Sequence, residues 1–254
     1  MRLSILGSSG GVGGALRTTC LLLDKDTLID CGTGAGELSL EEMIGIERIF
    51  LTHSHLDHVA LLPMLADSAG NFRSESLKVH ALAETISILK SHVFNGQLWP
   101  DYTAQPSIEH PYVLFEEIEI GRTIALPGKK ITVLPARHSV PAAGFLIDSG
   151  KASFAFSGDS TLCEAFWNRL NELDNLRYVM VEATFLDSAG ERAKTSGHMT
   201  PSLLRRAFGM LRRPAQMLIT HMEAGREAET MREILSLCPE FSPRAVRPGE
   251  IFEF

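Results

Sequence analysis

Residues 53 to 58 read His-Ser-His-Leu-Asp-His, three imidazoles and a carboxylate in six positions of a 254-residue chain that holds only nine histidines. Neutral imidazole nitrogen and carboxylate oxygen are the donors that zinc and other divalent first-row metals take. An apolar, β-branched run, Arg48 to Thr52, precedes them and reads as a buried strand. The run Val59 to Leu65 follows and reads as a helix. At such a turn His53 and His55 can reach one ion, while Asp57 and His58, on the next helical turn, face a second. A histidine-rich surface turn is the bland alternative, but three of nine histidines in six positions fits chance poorly.

Four residues leave a metal under-coordinated, so further donors are needed. His138 ends the apolar run around Leu134, Asp159 follows the break at Gly158 after Phe154 to Phe156, and His221 follows Met217 to Thr220. Each is the first polar, metal-capable group after a hydrophobic run, which is how a rigid scaffold presents a site on its rim. Singly, each could be a strand-end histidine or a turn aspartate. Together they bring the set to seven, enough for two ions sharing one carboxylate with coordination positions left open. Open positions mark a catalytic site, since structural zinc is closed by four protein ligands.

In this order, His53, His55, Asp57, His58, His138, Asp159 and His221 resemble the ligand set of the metallo-β-lactamase superfamily, and the resemblance spans nearly the whole chain. It implies an α/β fold, a four-layer αββα sandwich with the metals where two sheets meet. It also implies that His53, His55 and His138 bind one ion, that Asp57, His58 and His221 bind the other, and that Asp159 bridges them.

Such a site serves lactam, thioester, lactone and phosphodiester hydrolysis alike, so substrate must be argued from other residues. Val181-Glu182-Ala183-Thr184 ends another apolar strand, and His198 stands just before Thr200-Pro201, an expected N-cap and first turn for a helix over Ser202–Met210. A helix start attracts anions. A histidine held by a glutamate is a good proton donor to a poor leaving group, because the carboxylate favours the imidazolium. Read blandly, Glu182 is a strand-end surface carboxylate and His198 a loop histidine. The two segments resemble those of ribonuclease Z and of the class II cyclic-nucleotide phosphodiesterases, where such a pair assists leaving-group departure.

Spacing and charge separate those two groups. From His138 to Asp159 the chain advances only 21 residues, filled by two expected strands, Phe145 to Asp148 and Ala152 to Ser157. The long arm that ribonuclease Z-type enzymes commonly insert there does not fit. The chain carries 24 basic and 31 acidic residues, a net charge of −7, whereas RNA surfaces gain affinity from clustered Lys and Arg. Arg205-Arg206 with Arg212-Arg213 reads as a solvated helix face. No long nucleic acid is therefore expected as a partner. The glycine run Gly7 to Gly14 lacks the Gly-Lys-Ser/Thr of a nucleotide P-loop, and its expected job is a tight corner near the site mouth. This opening, with Leu28 to Gly34 and the segment His92 to Tyr102, also resembles the class II phosphodiesterases, and His92, Asn95 and Trp99 are candidates for holding a base. His80 and His110 read as a strand residue and a loop residue.

No apolar run approaches the roughly twenty residues of a membrane span. Cys20, Cys31, Cys163 and Cys238 form no close pair in sequence, which suits a reducing cytoplasm. A single domain over 1–254 is expected, with two strand-rich halves meeting near Pro127-Gly128. The expected activity is that of a hydrolase, a phosphodiesterase that opens cyclic AMP or cyclic GMP to the 5′-monophosphate. In it a metal-bound hydroxide attacks phosphorus, Asp57 orients it, and His198, supported by Glu182, protonates the leaving 3′-oxygen. Zinc is the expected metal, and manganese or iron accept the same donors. A lactonase or thioesterase of the same fold is the alternative among enzymes. A metal-loaded nucleotide-binding module without turnover is the alternative outside them. A small phosphorylated substrate is the expected partner, with a second copy of the chain besides, since dimers are frequent among the enzymes it resembles.

Overall fold

The computed structural model describes residues 1–254. Short strands open the chain: β1 (Arg2–Gly7), whose burial alternates, β2 (Cys20–Leu23), β3 (Thr27–Ile29) and β4 (Arg48–Phe50), then β5 (Leu77–Ala81) and β6 (Val113–Glu117). Between them lie α1 (Leu40–Gly45), α2 (Leu56–Val59), α3 (Leu62–Gly70) and α4 (Ala83–His92). A second series follows, β7 (Thr123–Leu126), β8 (Lys129–Pro135), β9 (Ala143–Asp148), β10 (Ser153–Phe156), β11 (Leu176–Glu182), β12 (Gln216–Thr220) and β13 (Arg244–Ala245). Its helices are α5 (Glu164–Leu170), α6 (Gly190–Ser196), α7 (Pro201–Phe208) and α8 (Glu227–Leu237). β14 (Ile251–Glu253) returns to pair with β1.

The strands form two seven-stranded sheets, ordered β14-β1-β2-β3-β4-β5-β6 and β7-β8-β9-β10-β11-β12-β13. Both are antiparallel at one end and parallel from β3 and β10 onward. Parallel neighbours need crossovers, and helices supply most of them. Alternation of side chains along each strand sends one set inward and one outward. Leu3, Ile5, Leu21 and Phe50 of one sheet meet Val133, Phe145, Phe154 and Leu218 of the other. On the outer faces, Leu28, Ile49 and Val79 pack on Leu62, Leu65 and Leu89, while Val179, Val181 and Ile219 pack on Trp167, Leu204, Phe208 and Ile234. These are four layers, αββα, as expected.

The expected strand over Arg48–Thr52 is present but stops at Phe50; Leu51 stays in the outer core, and Thr52 turns to Asp30 behind the site. The expected helix over 59–65 is two pieces, α2 and α3, with Pro63 in the first turn of the second. Pro127-Gly128 does not divide the halves. It is the two-residue turn between β7 and β8, with Gly128 at φ +71°, and the second sheet has already begun at Thr123.

The inter-sheet core makes a direct prediction. Phe145 is fully buried and meets Phe50 edge-on across the sheets, ring centroids 5.7 Å apart. Phe145→Ala should cost about 3–5 kcal/mol in urea unfolding. A cost below about 1 kcal/mol would show that the two sheets do not share this core.

Candidate metal centre

Each candidate ligand sits just beyond the C-terminal end of a strand. His53 follows β4, and His55, Asp57 and His58 enter α2, with His55 as its N-cap. His138 follows β8, Asp159 follows β10 and His221 follows β12. The strand ends of both sheets thus open onto one rim, and the crevice beyond the carboxyl ends of α/β strands is the common ligand site. His221 holds φ +55°, an uncommon backbone for a side chain other than glycine. Its backbone N–H donates to the Ser8 carbonyl at 2.8 Å, and Gly10 N–H donates to the Met222 carbonyl at 3.0 Å. The glycine run is therefore a corner docked against this rim, as its lack of a P-loop ending implied.

All seven donors converge, in two groups. His53, His55 and His138 form one; Asp57, His58, Asp159 and His221 form the other. His138 Nε2 lies 3.1 Å from His55 Nδ1, and His221 Nε2 lies 3.3 Å from His58 Nε2 and 3.0 Å from Asp57 Oδ2. Asp159 Oδ2 stands between the groups, 3.8 Å from His53 Nε2 and 3.3 Å from both His58 Nε2 and His221 Nε2. Donors at 2.0–2.1 Å around a tetrahedral ion stand about 3.4 Å apart, so these separations fit ligands around a cation. His53 Nε2 is buried with no hydrogen-bond partner, a cost that a bound ion would remove. This is a His/Asp cluster suited to divalent metals.

Charge follows the same division. Burial, with nearby His58, pushes His53 well below the ordinary histidine range, and burial likewise lowers His55 and His138. These three are neutral donors. Burial also disfavours charge on His58 and His221, but Asp159, with Asp30 for the first and Asp57 for the second, outweighs it and raises both. Burial would raise Asp159, yet the surrounding imidazoles hold its carboxyl well below the usual carboxylate range. A cation entering this second group would take the place of protons.

Beside the cluster, His198 Nδ1 donates to Glu182 Oε1 at 2.7 Å. Glu182 is fully buried at the end of β11 and accepts further bonds from the N–H of Ser160, Thr184 and Met199 and from the Thr184 hydroxyl. Burial disfavours charge on His198, but Glu182 outweighs it and raises its pKa. The His198 ring lies 4.8 Å from that of His138, centroid to centroid.

Sequence reasoning missed the groups that hold the ligands. Asp30, buried at φ +58°, accepts from His58 Nδ1 at 2.7 Å and from Thr52 N–H at 2.8 Å. The Gly197 carbonyl accepts from His138 Nδ1 at 3.1 Å. Gly197 is at φ +76°, and a Cβ there would stand 2.8 Å from Ser139 N, so glycine alone lets these loops close. Asp30 gave the same signal as Asp159, a carboxylate after a hydrophobic run; the carbonyl gave none.

Two expectations change. The helix at 201–208 has Thr200 as N-cap, but the Thr200 side chain makes no cap bond. Asp187 accepts from the Ser202 N–H at 3.0 Å instead, so the anion-attracting end of α7 is already taken by a carboxylate. Asn95 spends its side chain on its own turn, accepting from Gln97 and Leu98 N–H at 2.9 Å. Trp99 packs on the outer core of the first sheet, and His92 is exposed at the end of α4. None of these three hydrogen-bonds to the cluster. His80 stacks on Phe50 at 4.3 Å, its pKa lowered to about 4 by burial, and His110 is an exposed loop residue. A cavity of about 810 Å³ lies away from the cluster, against the β14-β1-β2 end of the first sheet.

No helix is long and apolar enough to cross a membrane. A family model described as the beta-lactamase superfamily domain matches residues 26–222. A ribonuclease Z of Bradyrhizobium diazoefficiens is 26% identical, covering 96% of this chain and 95% of its own length. The 3′,5′-cyclic-nucleotide phosphodiesterase 1 of Saccharomyces cerevisiae is 39% identical over 185 residues, covering 63% of this chain, and the match spans about half, 49%, of that relative. The crystal structure of unliganded yeast PDE1 superposes with a TM-score of 0.81 at 17% identity, over 98% of both chains. With an αββα sandwich, a His/Asp cluster on its rim and a family match over most of its length, the chain belongs to the metallo-β-lactamase superfamily.

Proposed function

We propose that this chain is a phosphodiesterase that holds two divalent metal ions and opens 3′,5′-cyclic nucleotides to 5′-monophosphates. The Glu182–His198 pair beside the His/Asp cluster carries the reading. Acyl transfer has little need of a proton donor raised in pKa by a buried carboxylate, whereas departure of a sugar alkoxide needs one. The likeness to a cyclic-nucleotide phosphodiesterase supports the same choice.

His53, His55 and His138 would hold one ion, Asp57, His58 and His221 the other, with Asp159 shared. Zinc suits five imidazoles best, manganese or iron being the alternatives. Bound there, the ions would supply Lewis acidity and lower the pKa of water towards about 7. Asp57, whose side chain is 30% exposed while the other donors of its group are nearly covered, orients the attacking water. As the water oxygen bonds to phosphorus it gives up a proton to solvent, the P–O3′ bond breaks, and the proton on His198 Nε2 passes to O3′. Glu182 holds Nδ1–H and stabilises the ring in its charged form before transfer. Four free cysteines, three of them buried, suit a cytoplasmic setting.

The match to nearly the whole of a ribonuclease Z favours one second reading, an RNA phosphodiester. Against it stand the net charge of −7 and the interval from His138 to Asp159, which holds only β9 and β10. A panel of cyclic AMP, cyclic GMP, RNA, a lactone and a thioester, run on metal-reconstituted protein, separates the readings. Turnover of a cyclic nucleotide, abolished by EDTA, is expected. Ready cleavage of any other member with both cyclic nucleotides left intact would overturn the proposal.

A further inference from the structure

Two buried carboxylates stand behind the cluster, and each is joined to a threonine hydroxyl in the same pattern. Thr52 Oγ1 lies 2.9 Å from Asp30 Oδ2 and 3.0 Å from His53 Nδ1, while His58 Nδ1 reaches Asp30 Oδ2 directly at 2.7 Å. Thr184 Oγ1 lies 2.7 Å from Glu182 Oε2 and 3.0 Å from His221 Nδ1, while His198 Nδ1 reaches Glu182 Oε1 directly at 2.7 Å. A hydroxyl has one proton to give and lone pairs left to accept. The Thr184 hydroxyl also stands 3.0 Å from the His221 carbonyl, but the Glu182 carboxylate is nearer, at 2.7 Å, and is the stronger acceptor. With the proton given to Glu182, its oxygen accepts from His221 Nδ1–H. Each carboxylate thus fixes two imidazoles, one directly and one through a threonine, and leaves Nε2 of each ring free.

The two clamps differ in what they hold. Asp30 and Thr52 hold two candidate metal ligands, His58 and His53. Glu182 and Thr184 hold one candidate ligand, His221, and the proton donor, His198. We infer that Thr184 is a positioning residue that ties His221 to the Glu182–His198 pair, so that the proton donor is set in register with the metals instead of independently of them. The inference rests on the reading of His198 as the general acid. A threonine that merely satisfied buried polar groups would serve either clamp alike, and its loss would not depend on the leaving group.

Thr184→Val keeps the shape of the side chain and removes the hydroxyl. Reconstituted to the metal content of the unsubstituted chain, it should slow cyclic-nucleotide hydrolysis by about 10–100-fold, and an activated aryl phosphodiester by much less. Thr184→Ser should restore most of the loss. Thr52→Val, reconstituted in the same way, should slow both substrates together, because its clamp holds no proton donor. In ¹⁵N-histidine NMR spectra of the metal-loaded protein, Thr184→Val should shift or lose the His221 Nδ1–H signal and leave those of His53 and His58 in place. If the valine variant does not fold, Thr184→Ala replaces it in the same comparison. Equal losses on the two substrates, no rescue by serine, or an unchanged His221 signal would overturn the inference. His198→Ala run alongside separates the two claims. If it shows no leaving-group dependence, the general-acid reading fails; if it does and Thr184→Val does not, only the role of Thr184 fails.

Discussion

His198→Ala will keep its metal and lose hydrolysis of alkoxide-leaving diesters by about 10²–10⁴-fold, the range by which a positioned proton donor accelerates such a step. A nitrophenyl diester, whose leaving group departs without a proton, should lose far less. The contrast follows from geometry. His198 Nδ1 is committed to Glu182 at 2.7 Å, and Glu182 is itself fixed by three backbone N–H groups, so the ring is held with Nε2 as its remaining site. His198 also groups with His138 and Asp159 closely enough to reach a common ion. Parallel elemental analysis decides between the two roles. A variant that loses metal along with activity on both substrates would make His198 a ligand and leave the leaving group unassisted.

Asp159→Ala is expected to be the most damaging single change at the cluster. Its Oδ2 lies within 3.8 Å of nitrogens from His53, His58 and His221, so its removal withdraws the oxygen common to both groups. It also withdraws the charge that raises His58 and His221. Protein reconstituted with zinc and freed of excess should carry about two ions per chain when unsubstituted and fewer than one when Asp159 is lost. Activity should fall by more than the roughly 10–100-fold that removal of a group behind a ligand costs. Retention of two tightly held ions by the variant would show that the two groups do not share this carboxylate.

The parts of the site that were legible in the sequence are those whose residue type is scarce and whose place follows from burial. His53, His138, Asp159 and His221 each end a hydrophobic run, and a run that must be buried can end only at a rim. The four-layer architecture came from the resemblance those residues carry, and the alternation of Leu3, Ser4 and Ile5 agrees with it. The supporting groups were not legible, because threonine hydroxyls and backbone carbonyls are everywhere. What makes Thr52 and Gly197 special is the pairing that sets Asp30 beside Thr52, 22 residues on, and the loop closure that sets Gly197 beside His138, 59 residues back. The cap of α7 failed for a related reason. A local rule favoured the Thr200 side chain, while Asp187, 15 residues before Ser202, takes the Ser202 N–H and hydroxyl with its two carboxylate oxygens. Pro127-Gly128 misled as a boundary because the signal for a break between units is also the signal for a tight hairpin turn.

On the proposed reading, this rim directs water to phosphorus and releases the 3′-oxygen of a cyclic nucleotide. Hydrolysis of cyclic AMP and cyclic GMP by the metal-replete chain in ¹⁸O-water, followed by ³¹P NMR, tests it most directly. The expected product is the 5′-monophosphate, with one ¹⁸O on its phosphate and no reaction after chelation. Formation of the 3′-monophosphate, or intact cyclic nucleotides in the presence of bound metal, would contradict it.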